Sequence, residues 1–368
     1  MRVLFLVDGS FAARERAMLE RLHVGLADEG VRIVHAVPQT LDDVPASSFF
    51  VETVGYALRG LRFSRRSRAQ QLVDRIVGGP DRPIDVVHVF GESAWWLGLE
   101  IARLCGAPLA LEAWRAGLVG RVRSLRASAA GGVAVGVMCP DGAGVAEYEQ
   151  AGLGDAAIPA FWGVHVQEDE RSILGEAVAA SIVVAGSGAD AKAMASAMDG
   201  VARALGPSND ARLVVDAGAA RRAGLWKVLQ QRGLTERASL IEDVEANRAL
   251  VLYGDVLLVP EALGERRTIV LDAMGAGMAV LAAGDPHGSW VVDGETGRVV
   301  RTDADAGAAW GEAVAGVLGD VGRARALGRR AREVVGERFR ASGQVAAVMA
   351  AYERLTRAGE ASLAFPGA

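Results

Sequence analysis

The 368-residue chain is 51% hydrophobic and 23% charged, with 46 glycines and a formal net charge of −5. At roughly 100–200 residues per domain, this length predicts two domains with sizeable cores, and the composition excludes a disordered, collagenous or disulfide-stapled chain. The acidic balance also excludes a dominant basic field of the kind that binds nucleic acid.

Short apolar runs alternate with longer segments of helical period, the pattern of parallel α/β layering. Arg2–Val7, residues 32–37, Val86–Phe90 and residues 109–111 and 132–139 read as strands. Residues 14–29 carry Met18, Leu22 and Leu26 at helical spacing and form the crossover between the first two strands. The acidic stretch 167–176 reads as a linker. The second half starts again in the same style, with strand 181–185, helix 190–204, strand 211–215, helix 223–232, strand Ala238–Ile241, helix 245–253, strand Val256–Val259, helix Thr268–Gly275 and strand 279–282. Residues 306–357 are helical, ending in a helix over 341–355 with Val345, Val348 and Tyr352 on one face. The tail 358–368 lacks periodicity and is expected to fray. The expected architecture is α/β, with two facing Rossmann-like parallel-sheet domains over 1–168 and 177–340 and ligands at the carboxyl ends of the strands.

No apolar run reaches the roughly 18–20 residues of a membrane span, and Met1-Arg2 leads into an apolar strand without a signal-peptide pattern. Cys105 and Cys139 lie in apolar surroundings without zinc spacing and read as buried thiols of a reducing compartment. The expected location is cytoplasmic. Arg59, Arg62, Arg65, Arg66 and Arg68 crowd together, with no acid from Thr53 to Val73. Such a segment is either a solvated face or a peripheral contact with anionic lipid at the inner face of the membrane. His23, His35 and His287 read as structural or incidental, and no pair has metal-ligand spacing. Trp95, Trp96 and Trp114 gather near strand ends, where aromatics serve either the core or sugar and base stacking.

Two segments carry candidate chemistry. Gly186-Ser187-Gly188-Ala189-Asp190-Ala191 follows an apolar strand and matches G-x-G-x-x-G/A, whose glycines bring backbone N–H groups to a pyrophosphate. Asp216 ends the next strand, but it stands 30 residues beyond Gly186, where the dinucleotide fingerprint has its acid after roughly 20. An NAD-dependent oxidoreductase rests on this segment alone, and a strand-to-helix turn needs no ligand. The second segment runs from Pro260 to Gly277. Its helix opens near Thr268, a candidate N-cap, and free amides at Thr268 and Ile269 beside Arg266 and Arg267 form an anion site. A capped helix with a solvated loop is the other reading.

The order strand, Pro260-Glu261-x-x-Gly264, Leu271-Asp272-Ala273-Met274-Gly275-Ala276-Gly277, strand, Val292-Asp293-Gly294-Glu295-Thr296-Gly297 resembles the retaining glycosyltransferases of family 4, which have the GT-B fold. Asp85-Val86-Val87-His88 with Gly91, the stretch 158–165, Gly186 with Lys192, Ala331-Arg332 and Glu337-Arg338-Phe339 are similar to further motifs of that family, in the same order. The resemblance implies transfer of a sugar from a nucleotide-diphosphate donor to an acceptor hydroxyl with retention, no metal requirement, and a last helix over 341–358 crossing back to the first domain. It implies that Gly186 and Lys192, with Arg266 or Arg267 and the amides of Thr268 and Ile269, bind the diphosphate. Glu261 or Glu265 beside Gly264 would hold the sugar, Asp272 the ribose, and backbone near 241–243 the base.

The departures are equally specific. Ser187 stands at the family's diphosphate arginine, the paired acids are off their spacing, and Ser289 falls where an acid often stands. The N-domain histidine is missing near Ala113 and Trp114, leaving Asp8 and Glu112 as the nearest replacements by strand-end position. These changes motivate a second expectation, a catalytically degenerate protein that binds a nucleotide or a partner without turnover. Asp303-Ala304-Asp305 reads as a helix start rather than a metal motif.

Overall fold

The computed structural model describes residues 1–39, 52–57, 65–76, 83–130, 132–167, 171–175, 179–206, 211–302 and 305–364. The chain forms two compact units, one of Met1–Trp162 with Ala341–Ala368 and one of Gly163–Arg340.

The first unit is built on β1 (Arg2–Val7), β2 (Arg32–Pro38), β3 (Glu52–Tyr56), β4 (Val86–Phe90), β5 (Leu109–Glu112), β6 (Val135–Cys139) and β7 (Ala157–Pro159). All pair in parallel in the order β3-β2-β1-β4-β5-β6-β7. The crossovers are α1 (Gly9–Ala12), α2 (Arg16–Asp28), α3 (Arg65–Ile76), α4 (Trp95–Cys105), α5 (Val119–Ala129) and α6 (Gly142–Gln150). Central β1 and β4 are covered on both faces, so they are continuous apolar runs rather than alternating ones. Helix α2 turns Met18, Leu19, Leu22 and Leu26 into the core.

The second unit repeats the plan with β8 (Ser181–Val184), β9 (Arg212–Asp216), β10 (Ala238–Ile241), β11 (Val256–Val259), β12 (Ala279–Ala283) and β13 (Arg298–Val300). These pair in parallel in the order β10-β9-β8-β11-β12-β13. Its helices are α7 (Ala191–Ala204), α8 (Ala217–Ala223), α9 (Leu225–Gln231), α10 (Arg248–Val251), α11 (Thr268–Gly275), α12 (Ala306–Gly319) and α13 (Val321–Arg338). Asp190, Asp216, Asp305 and Asp320 each accept a backbone N–H at the start of α7, α8, α12 and α13, a cap worth about 1 kcal/mol apiece. Asp305 therefore opens a helix, while Asp303 and Ala304 lie outside the described residues. Buried Asp255 accepts the N–H groups of Leu174 and Ser181 and pairs with Arg171 at 3.0 Å, pinning the entry segment to this sheet.

The last helix, α14 (Ala341–Ala364), belongs to the first unit and packs on α2, β5 and β6. It runs beyond residue 358, where fraying was expected, because no proline interrupts the alanine-rich segment before Pro366. The other differences are local. β3, β7 and β13 escape the periodicity because they are short edge-side strands with partly exposed residues. The helix expected over 223–232 is α9, which starts after left-handed Gly224; α8 before it was not expected, and the helix expected over 245–253 contracts to α10.

Candidate functional site

In both sheets the strand order reverses once, between β1 and β4 in the first unit and between β8 and β11 in the second. Open α/β sheets bind ligands outside the strand ends at such switch points.

In the second unit the chain leaves β8 through Ala185 and Gly186 and turns into α7, while the neighbouring β11 is followed by Pro260-Glu261. The Glu261 carboxylate spans the gap. It accepts the backbone N–H groups of Ser187, of Gly188 at 3.1 Å and of Asp190 at 2.7 Å, and the Ser187 hydroxyl at 3.1 Å. The loop keeps its shape by other means as well: Arg222 Nε donates to the Ser187 carbonyl at 2.6 Å, and the Ala189 N–H donates to Ser187 Oγ at 3.1 Å. Gly188 has φ +73°, and a Cβ there would lie 2.4 Å from the Ala219 carbonyl oxygen, so only glycine fits. Lys192, in the first turn of α7, is exposed.

The α11 loop lies on the same side of the sheet. Arg267 occupies the N-cap position and no side chain caps the helix. Thr268, expected as the cap, is instead the first helical residue and is fully buried. Behind it stands a buried ion cluster: Arg248 donates to Asp272 at 2.7 Å and to Glu245, which also pairs with Arg267 at 3.5 Å. Two cations and two carboxylates balance, which is how charge tolerates burial. Asp272, expected at the ribose, thus has one oxygen committed to Arg248. Arg266 is buried and Glu265 half-buried, and the Gly264 N–H donates to Asp285 at 2.6 Å. Asp216, the candidate dinucleotide acid, caps α8 through the Ala219 N–H at 2.6 Å.

At the switch point of the first unit the arrangement is analogous. Asp8, following β1, accepts from the Phe11 N–H at 2.8 Å and the Ser10 hydroxyl at 2.9 Å. Its other oxygen accepts the Ser93 N–H and hydroxyl, at 3.2 and 2.8 Å, from the loop after β4. Gly91, at φ +92°, leaves room for that carboxylate, since a Cβ there would lie 2.1 Å from Asp8 Cγ. Nearby, Trp114 donates to Glu92 at 2.8 Å, Arg115 donates to Glu92 at 2.9 Å, and the Arg14 guanidinium lies 5.5 Å from the Trp114 ring centre. Burial pushes the Glu92 carboxyl up, but the Arg115 hydrogen bond, with help from backbone and Trp114, holds it below its ordinary value.

Glu112 sits deeper. One oxygen accepts Trp162 Nε1–H at 2.5 Å and the other accepts His88 Nε2–H at 3.0 Å. His88 Nδ1 accepts the Tyr352 hydroxyl of α14 at 2.7 Å. Burial, then the charge of Glu112, drives the Tyr352 hydroxyl far above its ordinary value. Both oxygens of Glu112 are therefore engaged inside the core. Sequence reasoning missed this network and the Arg248 cluster; the available signals were a histidine inside an apolar strand and an arginine inside an apolar helix.

The remaining candidates separate. Trp95 and Trp114 are buried, whereas Trp96 is half-buried and receives the Arg65 guanidinium at 5.7 Å. Arg68 donates to the Ala57 carbonyl at 3.3 Å. Arg59 and Arg62 lie outside the described residues. His23 and His35 are buried neighbours with ring centres 4.9 Å apart, and His287 is exposed. Both cysteines are free. Among the described residues no helix is long and apolar enough to cross a membrane, and no group of three or more acidic, histidine or cysteine side chains is placed to hold a metal.

No protein-family model matches the chain, and no curated protein matches it by sequence. Solved structures do match in fold. Sucrose-phosphate synthase from Thermosynechococcus elongatus is similar over 97% of this chain and 99% of its own, at 18% identity and a TM-score of 0.74. The fold is GT-B. Anabaena HepE, solved in complex with UDP-glucose, is similar over 96% of this chain and 100% of its own, at 13% identity and a TM-score of 0.73. A glycosyltransferase from Rickettsia africae is similar over 96% of this chain and 98% of its own, at 13% identity and a TM-score of 0.71.

Proposed function

We propose that the protein is a retaining glycosyltransferase of the family 4 type that moves a sugar from a nucleotide-diphosphate donor to an acceptor hydroxyl. The observation that carries this reading is the second unit's switch point. There adjacent β8 and β11 bring Lys192 at the start of α7 and the Arg266–Arg267 loop before α11 to the same edge of the sheet. Departure of a nucleoside diphosphate concentrates negative charge on phosphate oxygens, and preorganised cations and amides there lower the barrier, each well-placed donor contributing about 3–4 kcal/mol.

In the reaction, the bond from the anomeric carbon to the β-phosphate oxygen breaks and a bond to the acceptor oxygen forms on the same face. The acceptor proton passes to the departing diphosphate, so no protein base is required. Lys192, the amides of the Gly186 loop and those of Thr268 and Ile269 bind the diphosphate, Glu265 and the Gly264 loop lie toward the sugar, Asp272 toward the ribose and residues 241–243 toward the base. Asp8 is a positioning group for the acceptor-side loops after β1 and β4, since its oxygens already hold four donors. Release of nucleoside diphosphate from UDP-, GDP-, ADP-, CDP- or TDP-sugars, with and without hydroxyl acceptors, tests the reading, and turnover with one base class is the expected result.

The engaged oxygens of Glu112, Glu261 and Asp272 favour one second reading, a binding protein without turnover. Saturable binding of one nucleoside diphosphate, with no transfer or hydrolysis of any of its sugars, would select it.

A further inference from the structure

We propose that Glu261 is an internal lock on the Gly186 loop: its carboxylate occupies the backbone donors that a diphosphate would use, and phosphoryl oxygens enter only when Glu261 swings out. The inference rests on the donor reading above and adds a gate to that site.

Three observations carry it. First, the N–H groups of Ser187, Gly188 and Asp190 and the Ser187 hydroxyl converge on this one carboxylate, which arrives from a different strand, so the loop is built to hold an anion at the switch point. Convergent backbone amides of this kind take anionic oxygens, and a carboxylate and a phosphate cannot share them. Second, the loop does not depend on Glu261 for its shape, because Arg222 holds the Ser187 carbonyl, Ser187 Oγ holds the Ala189 N–H and Asp190 caps α7. With Glu261 removed, the donors stay where they are. Third, Glu261 is only half-buried, so on leaving the loop its charge turns to water rather than into a core.

A lock lowers apparent affinity by the fraction of molecules that are open. If nine chains in ten are closed, removing the side chain tightens anion binding about tenfold. The test titrates inorganic pyrophosphate and UDP calorimetrically into wild type, Glu261→Ala and Glu261→Gln. The expected result is pyrophosphate binding at least tenfold tighter in Glu261→Ala. Glu261→Gln, whose uncharged amide still fits the loop, should tighten binding several-fold and decides the matter alone if the alanine variant fails to fold. Unchanged or weaker pyrophosphate binding in the variants, or none in any of the three proteins, overturns the lock. Weaker UDP binding in both variants overturns it too, since Glu261 would then be a donor ligand. If the variants gain pyrophosphate affinity while neither UDP nor any other nucleoside diphosphate binds better than pyrophosphate, the lock stands and the donor reading falls.

Discussion

Tyr352→Phe isolates the tie between α14 and the core of the first unit. The Tyr352 hydroxyl is fully buried and donates to His88 Nδ1 at 2.7 Å, while His88 Nε2–H is spent on Glu112 at 3.0 Å. Phenylalanine keeps the ring and its volume, so the loss reduces to one buried acceptor without a donor, about 1–3 kcal/mol. For a unit of this size each kcal/mol moves the melting temperature by about 2–4 °C, so the variant should melt roughly 2–12 °C lower. Its urea midpoint should fall with an unchanged m-value. Glu112→Gln should destabilise comparably, because one amide cannot accept from both Trp162 and His88. The double variant should lose less than the sum, since the two share His88. Because the folded-state hydroxyl ionises only far above its ordinary value, Tyr352 contributes fully below about pH 10, and that contribution is lost as pH rises further. Tyr352→Phe should flatten that alkaline decline. A Tyr352→Phe change below about 0.5 kcal/mol, within ordinary surface-substitution scatter, would refute the reasoning. So would Glu112→Gln that keeps full stability but abolishes turnover, which would make Glu112 catalytic.

Two further outcomes follow from the buried charges. Burial lowers the His35 imidazole to about 4, and burial with the charge of His35 lowers that of His23; the unfolded chain therefore takes up these protons first. Stability should fall as pH drops below about 6.5 toward 4, by roughly 3 kcal/mol for His35 alone, and urea midpoints across that range should be flatter in His35→Gln than in wild type. Asp272→Ala removes one of the carboxylates that hold buried Arg248 and should cost about 3 kcal/mol without any ligand present. Unchanged unfolding with weakened nucleotide binding would instead mark Asp272 as a ligand group only.

The central strands were legible because burial on both faces leaves continuous apolar runs: β1, β4 and β11 fall at the residues where the sequence places them. Helix α11 is legible at both ends for the same reason, being buried throughout. What the sequence hides is who meets whom across the sheet. Glu261 reads as a free loop acid, yet its partners stand more than seventy residues earlier, and only the strand order that seats β11 beside β8 brings them together. Asp272 meets Arg248 and Tyr352 meets His88 for the same topological reason. Short edge strands such as β13 carry too little apolar pattern to announce themselves.

The most direct measurement is thermal unfolding of wild type and Lys192→Ala against UDP, GDP, ADP, CDP, TDP and NAD. A ligand at about 100 times its dissociation constant adds roughly 2.7 kcal/mol of apparent stability. The account predicts a shift with one nucleoside diphosphate that Lys192→Ala weakens by tenfold or more in affinity, without changing the melting of the free protein, since Lys192 is exposed. A shift with NAD alone, or with no nucleotide at all, would contradict it.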